Sequence, residues 1–207
     1  DLASFVEAIV AVLLRVDPPA AQPTLWIEKT PKHLAHVPEL AERRPGTRFL
    51  CLVRDPRAVI GSHAKRWAKT ERGQQRRLAQ KWAQADELAA RFERDVPGFL
   101  SVRYRDLVHE PEATTRAVCE HFGVAWQDSL LTPSSRGEPW LGPRGQTGIS
   151  TDSVSAWKAE LSADRVALIE SILGERMARR GYACATSARG GPGRWLSEWR
   201  VRRGGED

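Results

Sequence analysis

The 207-residue chain is short of cysteine and of long apolar runs, and each shortage closes off a class of protein. Its three cysteines, Cys51, Cys119 and Cys184, are odd in number and far apart, so neither a disulfide framework nor a zinc site is expected. The longest apolar run, Phe5 to Leu14, is interrupted by Glu7 and is too short for a bilayer, so no membrane span is expected. No Gly-Lys-Ser or Gly-Lys-Thr loop occurs, which argues against a kinase-like phosphate-loop enzyme. No signal peptide is visible, and the expected location is cytoplasmic. The first residue is Asp rather than Met, from which a removed N terminus or an internal fragment is expected.

Positive charge is present in excess, 32 Lys plus Arg against 26 Asp plus Glu, with only six of the basic residues lysine. Such a balance suits a polyanionic small ligand as well as it suits nucleic acid. The basic residues are scattered, without aromatic interleaving or a recognition motif, so a nucleic-acid partner is not expected. The length fits one domain with a real core, placed at residues 1–185. Residues 186–207 form a basic, glycine-rich tail that composition marks as flexible.

Apolar spacing predicts the elements. Leu2, Phe5, Val6, Ile9, Val10 and Leu13 recur as on a packing helix, closed by Asp17-Pro18-Pro19. Thr24 to Glu28 reads as a short buried strand, and residues 32–44 as a helix ending at Pro45-Gly46. Phe49 to Val53 is the next strand, apolar enough to be buried on both faces in a parallel sheet. Leu78, Trp82, Ala85, Ala89, Phe92 and Val96 predict a long amphipathic helix ended by Pro97-Gly98, its aromatics in the core. Phe99 to Tyr104 supplies another strand, and Pro111 opens a helix that Gly123 closes, with Val118 and Phe122 inward. Residues 127–150, rich in Gly, Pro and Ser, read as a lid or as disorder, with Trp140 a candidate cover for a ligand. The last helix is predicted over 163–180 behind Ser162, with Val166, Ile169, Leu173 and Met177 inward and Gly181 as terminator. Strand and helix alternate, so the expected fold class is α/β, a three-layer αβα arrangement around a central parallel sheet.

The stretch around which the rest is organised is Thr47 to Ser62. The strand Phe49–Val53 ends abruptly in charge, and Asp55-Pro56 reads as an N-cap followed by a first helical residue. In open α/β sheets ligands bind where strands end and helices begin, and Arg54 sits there. Ser62, seven residues after Asp55, returns to nearly the same helix face roughly 10 Å along the axis, and Arg66 follows one turn later. Arg54, Ser62 and Arg66 together offer two guanidinium forks and a hydroxyl to one anion. On their own they read more readily as a solvated basic helix face with a capping Asp, and other features must tip the balance.

Glu28-Lys29-Thr30-Pro31-Lys32-His33, then about twenty residues, then Val53-Arg54-Asp55-Pro56-Arg57-Ala58 and Ser62, resembles the sulfotransferases that use 3′-phosphoadenosine 5′-phosphosulfate, in particular the bacterial, tyrosylprotein and glycan branches. The resemblance implies a P-loop NTPase-like sulfotransferase fold, and it implies that Arg54 and Ser62 hold the 3′-phosphate of that cofactor, with Arg66 in the same role. It places Lys29 by the transferring sulfonate with Glu28 to orient it, and His33 is an acceptor-side candidate. Tyr104-Arg105-Asp106-Leu107 resembles the family's Tyr-Glu-Asp-Leu segment, with Arg105 in place of an acidic residue, and puts Tyr104 near the nucleotide. Residues 150–158 resemble the late cofactor segment, from which Ser153 and Lys158 are carried over. The acceptor implied is a hydroxyl or amine on a small molecule, glycan or peptide, with no metal. No Ser-Gly-Thr-Thr-like loop precedes Thr24, so the first strand, the phosphate loop and the catalytic base are expected upstream of Asp1, and residues 1–207 by themselves are expected to be inactive. The competing reading is a degenerate, non-catalytic sulfotransferase-like module that binds the nucleotide or nothing.

Overall fold

The structure, a computed structural model, describes residue 25 and residues 27–66, 72–135, 138–140 and 147–186. The predicted helix over residues 2–13 and the basic tail from 187 onward lie outside the described residues, as do Thr24 and Trp26. The described residues divide into two compact units that alternate along the chain, those within 1–54 and 84–151 forming one and those within 55–83 and 152–207 the other.

In the first unit a 3-10 turn, Pro31–His36, leads into helix α1, Val37–Arg43. A single helix over 32–44 was expected. Pro38 divides it, because proline lacks the N–H that a mid-helix residue must donate, whereas in the first turn of a fresh helix that donor is not needed. Strand β1, Phe49–Val53, follows as expected. Beyond it the chain enters helix α2, Pro56–Arg66, and then helix α3, Arg72–Asp95, whose first half belongs to the second unit and whose second half returns to the first. Strand β2, Phe99–Arg103, pairs in parallel with β1, in register from Phe49 opposite Phe99 to Val53 opposite Arg103. A parallel pair cannot close through a tight hairpin, and the connection here carries the two helices α2 and α3. Rings pack at the start of the strands, Phe49 on Phe99 and Phe99 edge-on to buried Phe92.

Two expectations for these strands are corrected. β1 is not buried on both faces: Leu50 and Leu52, which share a face by the two-residue repeat of a strand, are 43% and 50% exposed. The described residues cover only the opposite face. Thr24 to Glu28 is not a strand in its described residues, and Leu25 and Ile27 are exposed. An extended segment becomes a strand only by pairing, and among the described residues β1 pairs with β2 alone.

Gly98 closes the turn into β2 with φ of 78°, a region that side chains with a Cβ avoid, and its carbonyl accepts the Phe49 N–H at 2.8 Å. A Cβ there would stand 3.2 Å from the Thr47 carbonyl oxygen. Gly98→Ala is expected to cost about 1 to 2 kcal/mol, read from the urea midpoint. An unmoved midpoint would mean that the turn reshapes freely.

After β2 the chain turns at once into helix α4, Tyr104–His109, which sequence periodicity did not reveal, and then into α5, Pro111–Phe122. Gly123 ends α5 in the left-handed region, as expected, but Cys119, rather than Val118 or Phe122, is its buried residue. Residues 127–150 are not wholly without structure. They hold a 3-10 turn, Asp128–Leu131, and an antiparallel pair of β3, Ser134–Ser135, with β4, Glu138–Pro139, next to an exposed Trp140.

The second unit contains α2, the first half of α3, two short helices, α6 at Asp152–Ser155 and α7 at Trp157–Glu160, and the last helix α8, Ala163–Arg179. Its core joins Ala58, Ile60 and Ala79 to Trp157, Leu161, Val166, Ile169, Leu173, Met177 and Tyr182. The four α8 residues predicted inward are all buried. Gly61 lets α7 approach α2, since a Cβ there would meet the Trp157 Cβ at 3.6 Å and Glu160 Oε2 at 3.0 Å.

Candidate functional site

Charge enters at the carboxyl ends of the two parallel strands. Arg54 follows β1 and Tyr104 follows β2, so pairing Val53 with Arg103 brings the next two residues side by side. The Arg54 guanidinium lies over the Tyr104 ring, 4.7 Å from its centre. The negative face of the ring attracts the cation and holds the charged end of Arg54 at the strand end. Two residues named from the sequence as nucleotide ligands are thereby brought together in one unit. Arg105 and Arg103 both turn toward Asp106, with Arg103 Nε donating to its Oδ2 at 2.6 Å.

Glu28 and His33 also meet, Nδ1 to Oε2 at 2.7 Å. Pro31 starts the 3-10 turn and folds His33 back over the five intervening bonds of chain, so the carboxylate of Glu28 is held on the side of the histidine. Lys29 lies exposed beside it.

In the second unit Asp55 caps α2, its Oδ1 accepting the Arg57 N–H at 2.8 Å, with Pro56 as the first helical residue. Ser62 is exposed on that helix, and its hydroxyl donates to the Val59 carbonyl at 2.9 Å, so holding an anion requires the hydroxyl to rotate away from its own backbone. Arg66 ends α2, and its side chain lies outside what is described. Ser153 is half-buried on α6 and Lys158 is exposed on α7, both helices packing against α2. The Lys158 ammonium stands 6.0 Å from the Trp157 ring centre.

Arg57 and Glu170 had no assigned role from the sequence. Arg57 Nε and Nη2 donate to the Asp55 carboxylate, the latter at 2.7 Å to Oδ2, and Nη1 donates to Glu170 Oε1 at 2.7 Å and to the Ala183 carbonyl at 2.9 Å. The guanidinium is stacked on Trp157, 4.1 Å from the ring centre. Glu170 also accepts the Ala185 N–H at 2.8 Å, the Thr186 N–H at 2.9 Å and the Thr186 hydroxyl. All three charged groups are buried. Burial works against charge on Arg57, but the bonds to Asp55 and Glu170 outweigh it and raise its pKa. Burial likewise opposes ionisation of Glu170, yet the Ala185 and Thr186 donors and Arg57 hold its carboxyl below the usual range. One signal was present in the sequence. Glu170 falls four residues after Val166 and three before Leu173, on the apolar stripe of α8, where a carboxylate survives only if paired.

A sequence model described as the sulfotransferase family matches residues 1–128. Carbohydrate sulfotransferase 1 of Rattus norvegicus is 26% identical over 172 residues, covering 70% of this chain and 41% of that protein. The Mus musculus protein of the same name is 25% identical over the same length and coverage. The chain thus spans about two fifths of the length of these curated relatives. Among solved structures, the sulfotransferase domain from the curacin biosynthetic pathway superposes with a TM-score of 0.60 at 19% identity, covering 86% of this chain and 68% of that one. The sulfotransferase domain from the Synechococcus PCC 7002 olefin synthase gives 0.60 at 23% identity, covering 80% and 63%. At that identity the two structures speak for the fold, an α/β sulfotransferase fold of the P-loop-like kind, as the sequence led us to expect.

Proposed function

This chain belongs to the sulfotransferase family, and from that premise we propose that it serves the transfer of a sulfonate group from 3′-phosphoadenosine 5′-phosphosulfate to an acceptor hydroxyl or amine. The observation that carries the proposal is the Arg54 fork stacked on Tyr104 where two parallel strands end, the place at which α/β sheets bind ligands. A planar donor set held by an aromatic face fits a phosphate group.

When bound, the cofactor supplies the activated sulfonate and a phosphate leaving group. Arg54 and Ser62 are assigned to its 3′-phosphate, with Arg66, Ser153 and Lys158 as further ligands. Tyr104 orients Arg54. Lys29 offers an ammonium to charge that grows on the transferring group, and Glu28, held by His33, keeps that lysine oriented. His33 is the candidate on the acceptor side. The names of the curated relatives make a glycan the first acceptor to try. Residues 1–185 are assigned to the transferase domain, and a cytoplasmic location belongs to the same proposal. Among the described residues no helix is long and apolar enough to cross a membrane.

Arg54→Ala is expected to weaken binding of 3′-phosphoadenosine 5′-phosphate by about 1.5 to 3 kcal/mol, the range for hydrogen bonds to charged groups. Ser62→Ala should cost less, since its hydroxyl must first give up the Val59 carbonyl. Titration calorimetry measures both. Wild-type affinity in the Arg54 variant would refute the assignment, and tight nucleotide binding without transfer to any hydroxyl or amine would favour the non-catalytic module.

A further inference from the structure

Capping α2 takes one side-chain acceptor, and Asp55 supplies it, yet three ionisable side chains, Asp55, Arg57 and Glu170, are buried together around the start of that helix. Two carboxylates outnumber one guanidinium, and the backbone N–H groups of Arg57, Ala185 and Thr186 stabilise them by hydrogen bonding. Glu170 is consequently gripped from two sides. Arg57 of α2 holds Oε1, and the segment Ala183–Thr186, leaving α8, encloses both oxygens while its Ala183 carbonyl binds the same Arg57 Nη1. Lifting that segment strands a buried anion, and so does tilting α2 away.

We infer that residues 183–186 are a clasp whose closure is linked to the seating of α2, and that Arg57 and Glu170 are positioning residues for the anion assigned to Ser62. The inference rests on the nucleotide reading above. Neither residue touches the anion; both set the helix that presents it. Linkage is reciprocal, so an anion that steadies α2 must also steady the clasp, by the same factor.

Cys184 reports on the clasp directly. It lies between Ala183, whose carbonyl binds Arg57, and Ala185, whose N–H binds Glu170. The residue is exposed, while its sulfur packs toward α8, 3.5 Å from where a Gly174 Cβ would stand. Burial, and after it the charge of Glu170, push the thiol above its usual range, which makes it a slow nucleophile in the closed clasp.

The experiment is alkylation of Cys184 by iodoacetamide, followed by peptide mass spectrometry, with and without saturating 3′-phosphoadenosine 5′-phosphate, on wild type and Glu170→Gln. Calorimetry on the same samples gives the affinities. The nucleotide is expected to slow Cys184 alkylation about fivefold or more, and Glu170→Gln to speed it and to raise Kd about fivefold or more. A purely structural role would lower the melting temperature of Glu170→Gln and leave the Kd of the folded variant at the wild-type value. That result, with a Cys184 rate indifferent to bound nucleotide, overturns the clasp while the nucleotide reading stands. If Glu170→Gln does not fold, the wild-type rates with and without nucleotide decide alone. No nucleotide binding by wild type would remove the anion assignment, and the clasp's role with it.

Discussion

Arg57→Ala is expected to destabilise the protein by about 3 to 5 kcal/mol, the cost of removing one partner from a buried ion pair. The size follows from what stays behind. Asp55 and Glu170 both remain buried, the carboxylates lose the bonds at 2.7 Å that Arg57 makes to each, and Trp157 loses the cation on its face. Arg57→Lys keeps the charge but cannot reach Asp55, Glu170 and the Ala183 carbonyl from one planar fork, so it should lie between wild type and alanine. Urea unfolding followed by circular dichroism measures the loss. A loss under about 1 kcal/mol, the scale of an exposed pair, would show that water reaches the carboxylates and that the network is a surface feature.

The same network predicts acid lability with a definite sign. A carboxyl whose folded pKa lies below its unfolded one binds fewer protons when folded, so its contribution is complete above the unfolded value and fades as pH falls through the folded one. Glu170 is such a group. Stability should therefore decline below about pH 4.3, the ordinary glutamate value, and Glu170→Gln should flatten that part of the profile.

Lys29→Ala should lower turnover by about 10² to 10³, the usual cost of losing one group that stabilises charge in the transition state, and leave nucleotide affinity nearly intact. The position is exposed, so the substitution leaves no cavity, and a loss of rate will not be a loss of fold. Steady-state kinetics on the protein that carries this chain, with a glycan acceptor, separates the cases. A change confined to KM would make Lys29 a uniform binding group and remove it from the transfer step. Glu28→Gln tests orientation apart from charge, because the structure ties Glu28 to His33 at 2.7 Å. If Glu28 acts only through that tie, His33→Ala should reproduce its effect.

What the sequence determined by itself were the features that depend on near neighbours. The bounds of β1 at Phe49 and Val53, the Asp55 cap with Pro56 behind it, the glycine stop at Gly123 and the inward face of α8 all follow from spacing and from the backbone preferences of Pro, Gly and Asp, and the structure has each of them. The parallel sheet was legible for a related reason, since strand, helix and strand in alternation can hardly pair otherwise. Tertiary structure decided what depends on distant partners. Which face of β1 is covered, and whether the described residues Leu25, Ile27 and Glu28 pair, are matters of what lies alongside, and Leu50 and Ile27 carry no local mark of it. Arg57 and Glu170 are 113 positions apart. A sequence can show that a carboxylate on an apolar stripe needs a partner, but only the packing of α8 against α2 and the return of residues 183–186 names it, because burial converts an ordinary surface charge into one that must be answered. The Arg54 and Tyr104 stack shows both contributions. Each residue stands at a strand end that the sequence marks, and the register of two parallel strands sets the guanidinium on the ring.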